Sequence, residues 1–175
     1  MLQSVHNTLH KSVERRCSVK VELVNSFVQG AQGTLTTICG EIDKLGKVFM
    51  KQAPFLPSDI SIVIGVHGEL NGHVIYAMDE KSGILLASKL MAGFEVNGLD
   101  DMSKSAIKEV GNMISGNAAN ALFNHGFTVD ITPPTYLGKG DAGGMDFLEN
   151  DSKLLCIPIF YQGEQIFEVD LHFKG

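Results

Sequence analysis

Two side chains with different hydrogen-bonding chemistry, Glu109 and Asn112, stand three residues apart in the stretch from Ser105 to Leu122. An ionised carboxylate only accepts hydrogen bonds, whereas a carboxamide both donates and accepts them. Apolar residues recur through this stretch at the spacing of an amphipathic helix: Ile107, Val110, Ile114, Ala118, Ala121 and Leu122. At roughly 100° per residue, four other residues fall within about 60° of one another on the opposite side: Ser105, Glu109, Asn112 and Gly116. The spacing predicts a rigid helix surface that presents a carboxylate beside a carboxamide.

An ordinary solvated helix face is the alternative interpretation of these residues, because Glu is common and Asn is tolerated there. Two observations argue against it. The face is short of the Glu–Lys pairs that are typical of a solubilising surface, and Gly111 and Gly116 stand in mid-helix, where each costs roughly 0.5–1 kcal/mol relative to Ala. Gly111 falls on the apolar side and indicates close packing. Gly116 lies beside the Glu/Asn pair, where a missing side chain lets another backbone approach.

The elements that must position this helix alternate between helices and β-hairpins. The first half of the chain predicts a helix from about Val19 to Ile38, a short strand within Lys44 to Gln52, two strands within residues 58–79 and a helix from Glu80 to Gly93. The central helix follows, with Ser103 as its N-cap. After it come a strand from Phe127 to Ile131, an exposed Gly- and Asp-rich loop over residues 138–152, and a final hairpin about Gln162–Gly163. Hairpins imply antiparallel pairing. The predicted fold class is therefore α+β, with long amphipathic helices packed on a mostly antiparallel sheet.

Two local patterns give finer expectations. The pair Asn71–Gly72 suits the positive φ of a hairpin turn. In the last strand, alternation places two sets of residues on opposite faces: Phe167, Val169, Leu171 and Phe173 toward the core, and Glu168, Asp170 and His172 away from it.

Composition bounds the class of protein. A chain of 175 residues with 44% hydrophobic and 19% charged residues suits one globular domain. The net charge of −6 and the lack of a Lys/Arg cluster argue against a nucleic-acid partner. The set Cys17, Cys39 and Cys156 has no Cys-x-x-Cys spacing, which favours free thiols in a reducing cytoplasm. The first residues lack the apolar segment of a signal peptide, and no window has the apolar length of a membrane span.

Several common catalytic motifs are missing from the sequence. It contains no GxxxxGK[ST], no GxGxxG after a strand, no HExxH and no nucleophile elbow. His67 and His73 flank one hairpin turn, but no third ligand stands at metal-binding spacing, so they are expected to be surface or strand-pair histidines. No metal site is expected.

The run Ser105-x-x-x-Glu109-x-x-Asn112, followed by 21 residues and then Pro134, resembles the signature of the CheC/CheX/FliY phosphatases of bacterial chemotaxis. These proteins dephosphorylate the response regulator CheY. The likeness includes the segments KEVGNMISGNAANAL, VDITPPT and IGVHGELNGHVIYAM and covers roughly residues 19–173. A single strong motif suggests the CheX type. The expected organisation is an N-terminal extension over residues 1–18 and one CheX-like domain over residues 19–175.

The resemblance implies a hydrolase that acts on the aspartyl phosphate of a CheY-type receiver. In that family pattern, Asn112 orients the attacking water and Glu109 contacts the regulator's active site. Ser105, Gly116 and Pro134 are the candidate partner-binding residues, although Ser105 also suits an ordinary first-turn position. Magnesium is expected to arrive with the regulator, and the protein is expected to need no cofactor of its own. The resemblance further implies a cytoplasmic homodimer joined through its sheets, and apolar segments such as Ser61 to Val66 would tolerate edge pairing.

Two alternatives remain open. The run Ser18-x-x-x-Glu22-x-x-Asn25 repeats the motif spacing in the first helix and is a possible second site, although it lacks the matching glycine and the downstream proline. A non-catalytic binding or scaffold module of the same fold, as in flagellar switch proteins, is the alternative function. The intact Glu/Asn pair favours the enzyme. The sequence leaves open the cognate regulator, and whether the pathway is chemotaxis or another two-component system.

Overall fold

Eight strands form one antiparallel sheet in the part of the chain that the structure describes. The computed structural model describes residues 2–53, 58–92, 94–141 and 145–174, with side chains from residue 21 onward. The strands are β1 (Lys44–Leu45), β2 (Phe49–Gln52), β3 (Ile60–Gly68), β4 (Gly72–Met78), β5 (Val129–Ile131), β6 (Thr135–Gly138), β7 (Lys153–Tyr161) and β8 (Glu164–Phe173). The helices are α1 (Leu2–Cys39), α2 (Glu80–Leu90) and α3 (Asp101–Asn124). The predicted α+β class is confirmed.

The order of the sheet is β1-β7-β8-β4-β3-β5, with β2 also paired to β7 and β6 also paired to β3. Two long hairpins, β3–β4 and β7–β8, form its centre and are joined where β4 pairs with β8. The expectation that Ser61 to Val66 pairs at an edge is wrong. β3 is paired on both sides, with β4 along one edge and with β5 and β6 along the other.

The main core lies between one face of the sheet and the helices. Fully buried side chains meet there from α1, the sheet and α3, among them Phe27, Leu35, Ile62, Tyr76, Ile107, Ile114 and Phe167. At Gly30 the backbones of α1 and α3 approach so closely that a Cβ atom would lie 2.7 Å from the carbonyl oxygen of Ile114. Glu22 of α1 reaches His125 at the far end of α3, so the two helices run in opposite directions. The first helix thereby fixes the position of α3.

The opposite face of the sheet is also covered. Val63, Ile75, Leu137, Leu154 and Cys156 form a second buried cluster, against which Met145, Phe147 and Leu148 pack. The prediction of an exposed loop over residues 138–152 is therefore wrong for these three side chains. Glu168, Asp170 and His172 lie away from the main core as predicted, yet all three are buried. Alternation predicts which face a strand residue is on, but not whether that face is covered.

One of the two predicted hairpin turns is where the sequence placed it, and the other is not. Gln162 and Gly163 have φ of 53° and 81°, as a tight hairpin turn requires. The expectation for Asn71–Gly72 is wrong, because Gly72 already belongs to β4 and the positive φ of 120° is at Gly68. A Cβ atom at Gly72 would lie 2.2 Å from the carbonyl oxygen of His172. This glycine serves the close approach of β8 to β4.

Some element bounds also differ from expectation. The strand expected within Lys44 to Gln52 is divided into β1 and β2, and β6 follows Pro133–Pro134 without having been predicted. α1 begins at Leu2, so the boundary placed between residues 18 and 19 falls inside a helix and stays a prediction. The expected end of the second helix at Gly93 lies outside the described residues. Within the described ranges, no helix has both the length and the apolar character needed to cross a membrane.

Candidate functional site

The start of α3 is fixed by Asp100 and not by the predicted cap, Ser103. The side chain of Asp100 accepts a hydrogen bond of 2.8 Å from the backbone N–H of Ser103, which is the geometry of an N-cap. The Ser103 hydroxyl is buried and donates to the carbonyl oxygen of Gly98 at 3.0 Å. Hydrogen bonds from Ser103 hold the pKa of Asp100 below its usual value. The helix therefore begins with Asp101, ahead of the predicted start.

The apolar face of α3 packs against α1 and against the sheet. Ile107, Val110, Ile114, Ala118 and Leu122 are all fully buried, and Ala121 is half-buried. A Cβ atom at Gly111 would lie 2.9 Å from Cγ2 of Ile62, which confirms the predicted close packing at this glycine. The buried hydroxyls of Tyr76 and Ser115 lie 2.6 Å apart, and burial raises the pKa of Tyr76 so that the phenol stays neutral. This packing holds the opposite face of the helix rigid.

That opposite face presents the predicted residues together. Ser105 and Glu109 are exposed, and Asn112 and Gly116 are partly exposed. Within the described part of the chain, neither Glu109 nor Asn112 has a hydrogen-bond or ion-pair partner. A Cβ atom at Gly116 would meet no described atom within 4 Å. The carboxylate and the carboxamide are thus both available to a molecule outside this chain, with open space beside them.

Pro134 is less closely tied to this surface. It lies between β5 and β6 and is half-buried. The segment is held by Thr132, whose hydroxyl accepts a 2.8 Å hydrogen bond from the backbone N–H of Gly65. β6 reaches the first part of α3 through Lys104, whose Nζ lies 5.6 Å from the ring centroid of Tyr136. None of the hydrogen bonds or ring contacts among described residues joins Pro134 to Glu109 or Asn112.

The second candidate motif, on α1, has a different environment. Glu22 Oε2 lies 3.3 Å from Nδ1 of His125, the C-cap residue that follows α3. Asn25 is exposed, and the Ser18 side chain lies outside the described side chains. Glu22 therefore connects two helices, whereas Glu109 has no partner among the described residues.

The sequence did not reveal a buried polar cluster on the far face of the sheet. Cys156 Sγ and carboxylate oxygens of Glu168 and Asp170 lie within 4.8 Å of one another, a set that a metal ion could use. Lys51, however, forms ion pairs with both carboxylates, at 3.2 Å to Asp170. Burial, aided by the charge of Glu168, raises the pKa of Asp170 to about 6. Lys51 compensates the charge of this cluster only in part, and the cluster lies on the face of the sheet away from α3.

The histidines of the first hairpin are not cross-strand partners, although both lie beside Gly65 on one face of the sheet. His73 pairs with Gly65, and its ring stacks on Phe147 with centroids 3.9 Å apart. His67 is exposed and opposes Asp130 of β5. Burial lowers the pKa of His73, which favours its neutral form.

Comparisons with known proteins agree with the motif. Residues 60–160 match the family model described as chemotaxis phosphatase CheX. The CheY-P phosphatase CheX of Thermotoga maritima is 32% identical over 153 residues, which are 87% of this chain and 96% of that protein. The chain belongs to the CheX family. The family resemblance drawn from the run Ser105-x-x-x-Glu109-x-x-Asn112 is thereby confirmed.

Solved structures show the same relationship. The CheX of a CheX–CheY–BeF3–Mg2+ complex from Borrelia burgdorferi is 27% identical, with a TM-score of 0.68 and coverage of 87% of this chain and 97% of that one. FliY of Thermotoga maritima is 22% identical, with a TM-score of 0.65, and the match covers 87% of this chain and 86% of the FliY chain. FliY therefore shares the fold. The CheX fold thus carries the exposed Glu/Asn surface of α3.

Proposed function

We propose that this CheX-family protein is a phosphatase that hydrolyses the aspartyl phosphate of a CheY-type receiver domain. The observation that carries the proposal is the exposed face of α3, where Glu109 and Asn112 have no hydrogen-bond or ion-pair partner among the described residues. The name of the Thermotoga relative and the CheX–CheY composition of the Borrelia complex support the choice of substrate. We further propose that the protein acts in the cytoplasm, since Cys39 and Cys156 are free thiols, as is usual in a reducing compartment.

The reaction asks for positioning more than for covalent chemistry. An aspartyl phosphate is a reactive acyl phosphate, so the barrier is lowered mainly by orientation and charge. Asn112 holds a water in line with the phosphorus, because its carboxamide both donates and accepts hydrogen bonds. The water oxygen bonds to phosphorus while the bond to the receiver carboxylate breaks, which releases phosphate. No perturbed general base is needed on this chain.

Glu109 has a different role in the proposal. Its exposed carboxylate contacts a cationic group of the receiver's active site and fixes the register of the two proteins. Magnesium is supplied by the phosphorylated receiver, in keeping with the Mg2+ named in the Borrelia complex. Ser105, Gly116 and Pro134 are proposed to lie at the partner contact.

The test follows loss of phosphate from a panel of phosphorylated CheY-type receivers, with and without this protein. We expect at least one receiver to lose phosphate faster in its presence, at substoichiometric amounts. Binding without acceleration would instead show a non-catalytic scaffold function on the same fold. Acceleration of no receiver would overturn the phosphatase.

Gly116→Ala is expected to stabilise the fold and to impair the enzyme. A methyl group there meets no described atom, so replacing a mid-helix glycine should raise the free energy of unfolding by roughly 0.5–1 kcal/mol. The same methyl would stand between α3 and the approaching receiver and raise KM. Urea unfolding and steady-state kinetics measure the two effects.

Gly33→Ala is the matched control, because Gly33 is exposed in α1 and also has open space. It should give the same gain in stability with unchanged KM. Equal kinetics for the two variants would remove Gly116 from the partner contact.

We also propose a homodimer joined through sheet edges. β2 pairs with β7 on one side, and no described strand pairs with its other side. Exposed apolar side chains gather there: Val48, Phe49 and Met50. Unpaired backbone groups beside exposed apolar residues form a template for a second copy. Sedimentation at micromolar concentration should show a dimer that Met50→Lys weakens, and a wild-type monomer would contradict this assembly.

The domain organisation remains a proposal of the same kind. We propose one CheX-like domain over residues 19–175, preceded by an extension over residues 1–18. The family model matches within that domain, at residues 60–160.

A further inference from the structure

Two large apolar side chains lie on the otherwise polar face of α3. Met102 is 64% exposed and Phe123 is 68% exposed, whereas every other apolar side chain of this helix is buried or half-buried. Met102 stands seven residues before Glu109, and Phe123 stands seven residues after Gly116. Because seven residues are almost two full turns, these four residues form one line along the helix, within about 60° of rotation.

Single exposed apolar residues are ordinary on protein surfaces. The positions of Met102 and Phe123 are less ordinary, since each continues the line of Glu109 and Gly116 at an opposite end. Both side chains would gain free energy if a partner covered them, because apolar area would leave water. The helix face therefore has a polar centre and an apolar group at each end.

We propose that Met102 and Phe123 are the two apolar anchors of the receiver-docking surface, with Glu109 and Asn112 at its centre. This inference rests on the proposed phosphatase function and extends it to the partner's surface. The receiver that fits carries apolar side chains on both sides of its phosphorylated aspartate, as well as a cation for Glu109.

The length of the line suits one globular domain. From residue 102 to residue 123 the helix rises about 32 Å, at 1.5 Å per residue. A standard interface buries about 800 Å² per partner, which corresponds to a disc of about that width. A receiver centred on Asn112 therefore reaches both anchors. Contacts around a reacting centre also exclude bulk water. The water held by Asn112 would then be the one that reaches the phosphorus.

A second copy of this chain is a poorer occupant of the same line. A symmetric contact between two α3 helices would be self-complementary and centred near the middle of each helix. In an antiparallel contact of that kind each Glu109 would face Gly116 of the other copy, and no residue of the line offers it a cation. A receiver with a cationic group in its active site carries the charge opposite to that of Glu109, which makes it the better occupant.

The test uses the receiver that the wild-type protein dephosphorylates fastest, and compares Met102→Ala, Phe123→Ala and the double variant. For the double variant we expect KM to rise at least about tenfold, with kcat within about twofold, because removing interface anchors weakens association. The dissociation constant for the BeF3–Mg2+ form of the receiver should rise in parallel. Met102→Leu and Phe123→Leu should restore most of the affinity.

Val21→Ala is the matched control, because Val21 is 51% exposed on α1 and lies outside α3. It should leave KM unchanged. An unchanged KM in the folded double variant would overturn the anchors while leaving the phosphatase intact, and so would a double variant that changes only the sedimentation of the protein. A wild-type protein that accelerates and binds no receiver overturns the proposed function and this inference together.

Discussion

Replacing Asn112 by alanine is expected to lower the rate of receiver dephosphorylation on the order of 10²-fold, because misplacement of the attacking water costs about that much. The fold should be almost unaffected. Asn112 is partly exposed and forms no hydrogen bond within the described residues, so its removal leaves no described polar group unpaired. The measurement is single-turnover phosphate release from a saturated complex, which reports the chemical step apart from binding. Urea unfolding of the variant should match that of the wild type.

Two companion variants identify what Asn112 does. Asn25→Ala removes the same side chain from the exposed position of the second motif on α1, and it should leave the rate unchanged. A large loss at Asn25 would show that the second motif is an active site. Glu109→Ala should raise KM as well as slow turnover, since it removes a charge that contacts the receiver. If Asn112→Ala dephosphorylates the receiver as fast as the wild type, the water-positioning mechanism is wrong.

Asp170→Asn is expected to stabilise the protein by about 2–3 kcal/mol at pH 7.5, which is the size that a rise of two pKa units implies. Burial raises the pKa of this carboxyl to about 6, so its ionised form is held unfavourably in the folded protein. Asparagine has nearly the same shape and carries no charge. Lys51 keeps its ion pair with Glu168 in the variant.

The gain from Asp170→Asn should depend on pH with a definite sign. Between about pH 4 and pH 6, the folded wild-type protein binds a proton at Asp170 that the unfolded chain does not. The wild type therefore recovers this stability as the pH falls through 6, and the difference from the variant should close near pH 4. Urea unfolding of both proteins at about pH 7.5, 6 and 4.5 measures this difference. Burial lowers the pKa values of His73 and His172, which has the opposite effect on stability, but that effect is common to both proteins and cancels in the difference.

Asp130→Asn is the control for the charge change, because Asp130 is exposed on β5. Its effect should stay within about 0.5 kcal/mol at each pH, as is usual for surface substitutions. An Asp170→Asn variant less stable than the wild type at pH 7.5 would show that the ion pair with Lys51 outweighs the cost of burial.

The helix that bears the candidate site could be predicted almost completely from the sequence. Apolar residues at helical spacing, such as Ile107 and Ile114, are buried as expected and leave Glu109 and Asn112 on the other side. Local periodicity is sufficient here because one face of the helix is buried along its length, against α1, α2 and the sheet. The hairpins likewise predicted an antiparallel sheet, since each forms between neighbouring segments of the chain.

Features that depend on distant segments could not be predicted. Asp100 and Ser103 are both good capping residues, and burial of the Ser103 hydroxyl against Gly98 excludes it as the cap. Gly72 follows an asparagine and so suggested a turn, yet it serves the approach of β8. Asp170 was placed on the correct face, but its surroundings include Lys51 and Cys156, which belong to other strands of the sheet.

The pairing of β4 with β8 has a consequence for how the protein folds. Each central hairpin closes locally, whereas Tyr76 and Val169 meet across 93 positions of chain, a separation whose loop-closure entropy makes such contacts slow to form. α2 and α3 both belong to the intervening loop. We expect the two hairpins to form early and the β4–β8 junction to form late in folding. The surface that bears Glu109 and Asn112 is thus carried by the segment whose closure completes the sheet, and it becomes competent only when the whole domain has folded.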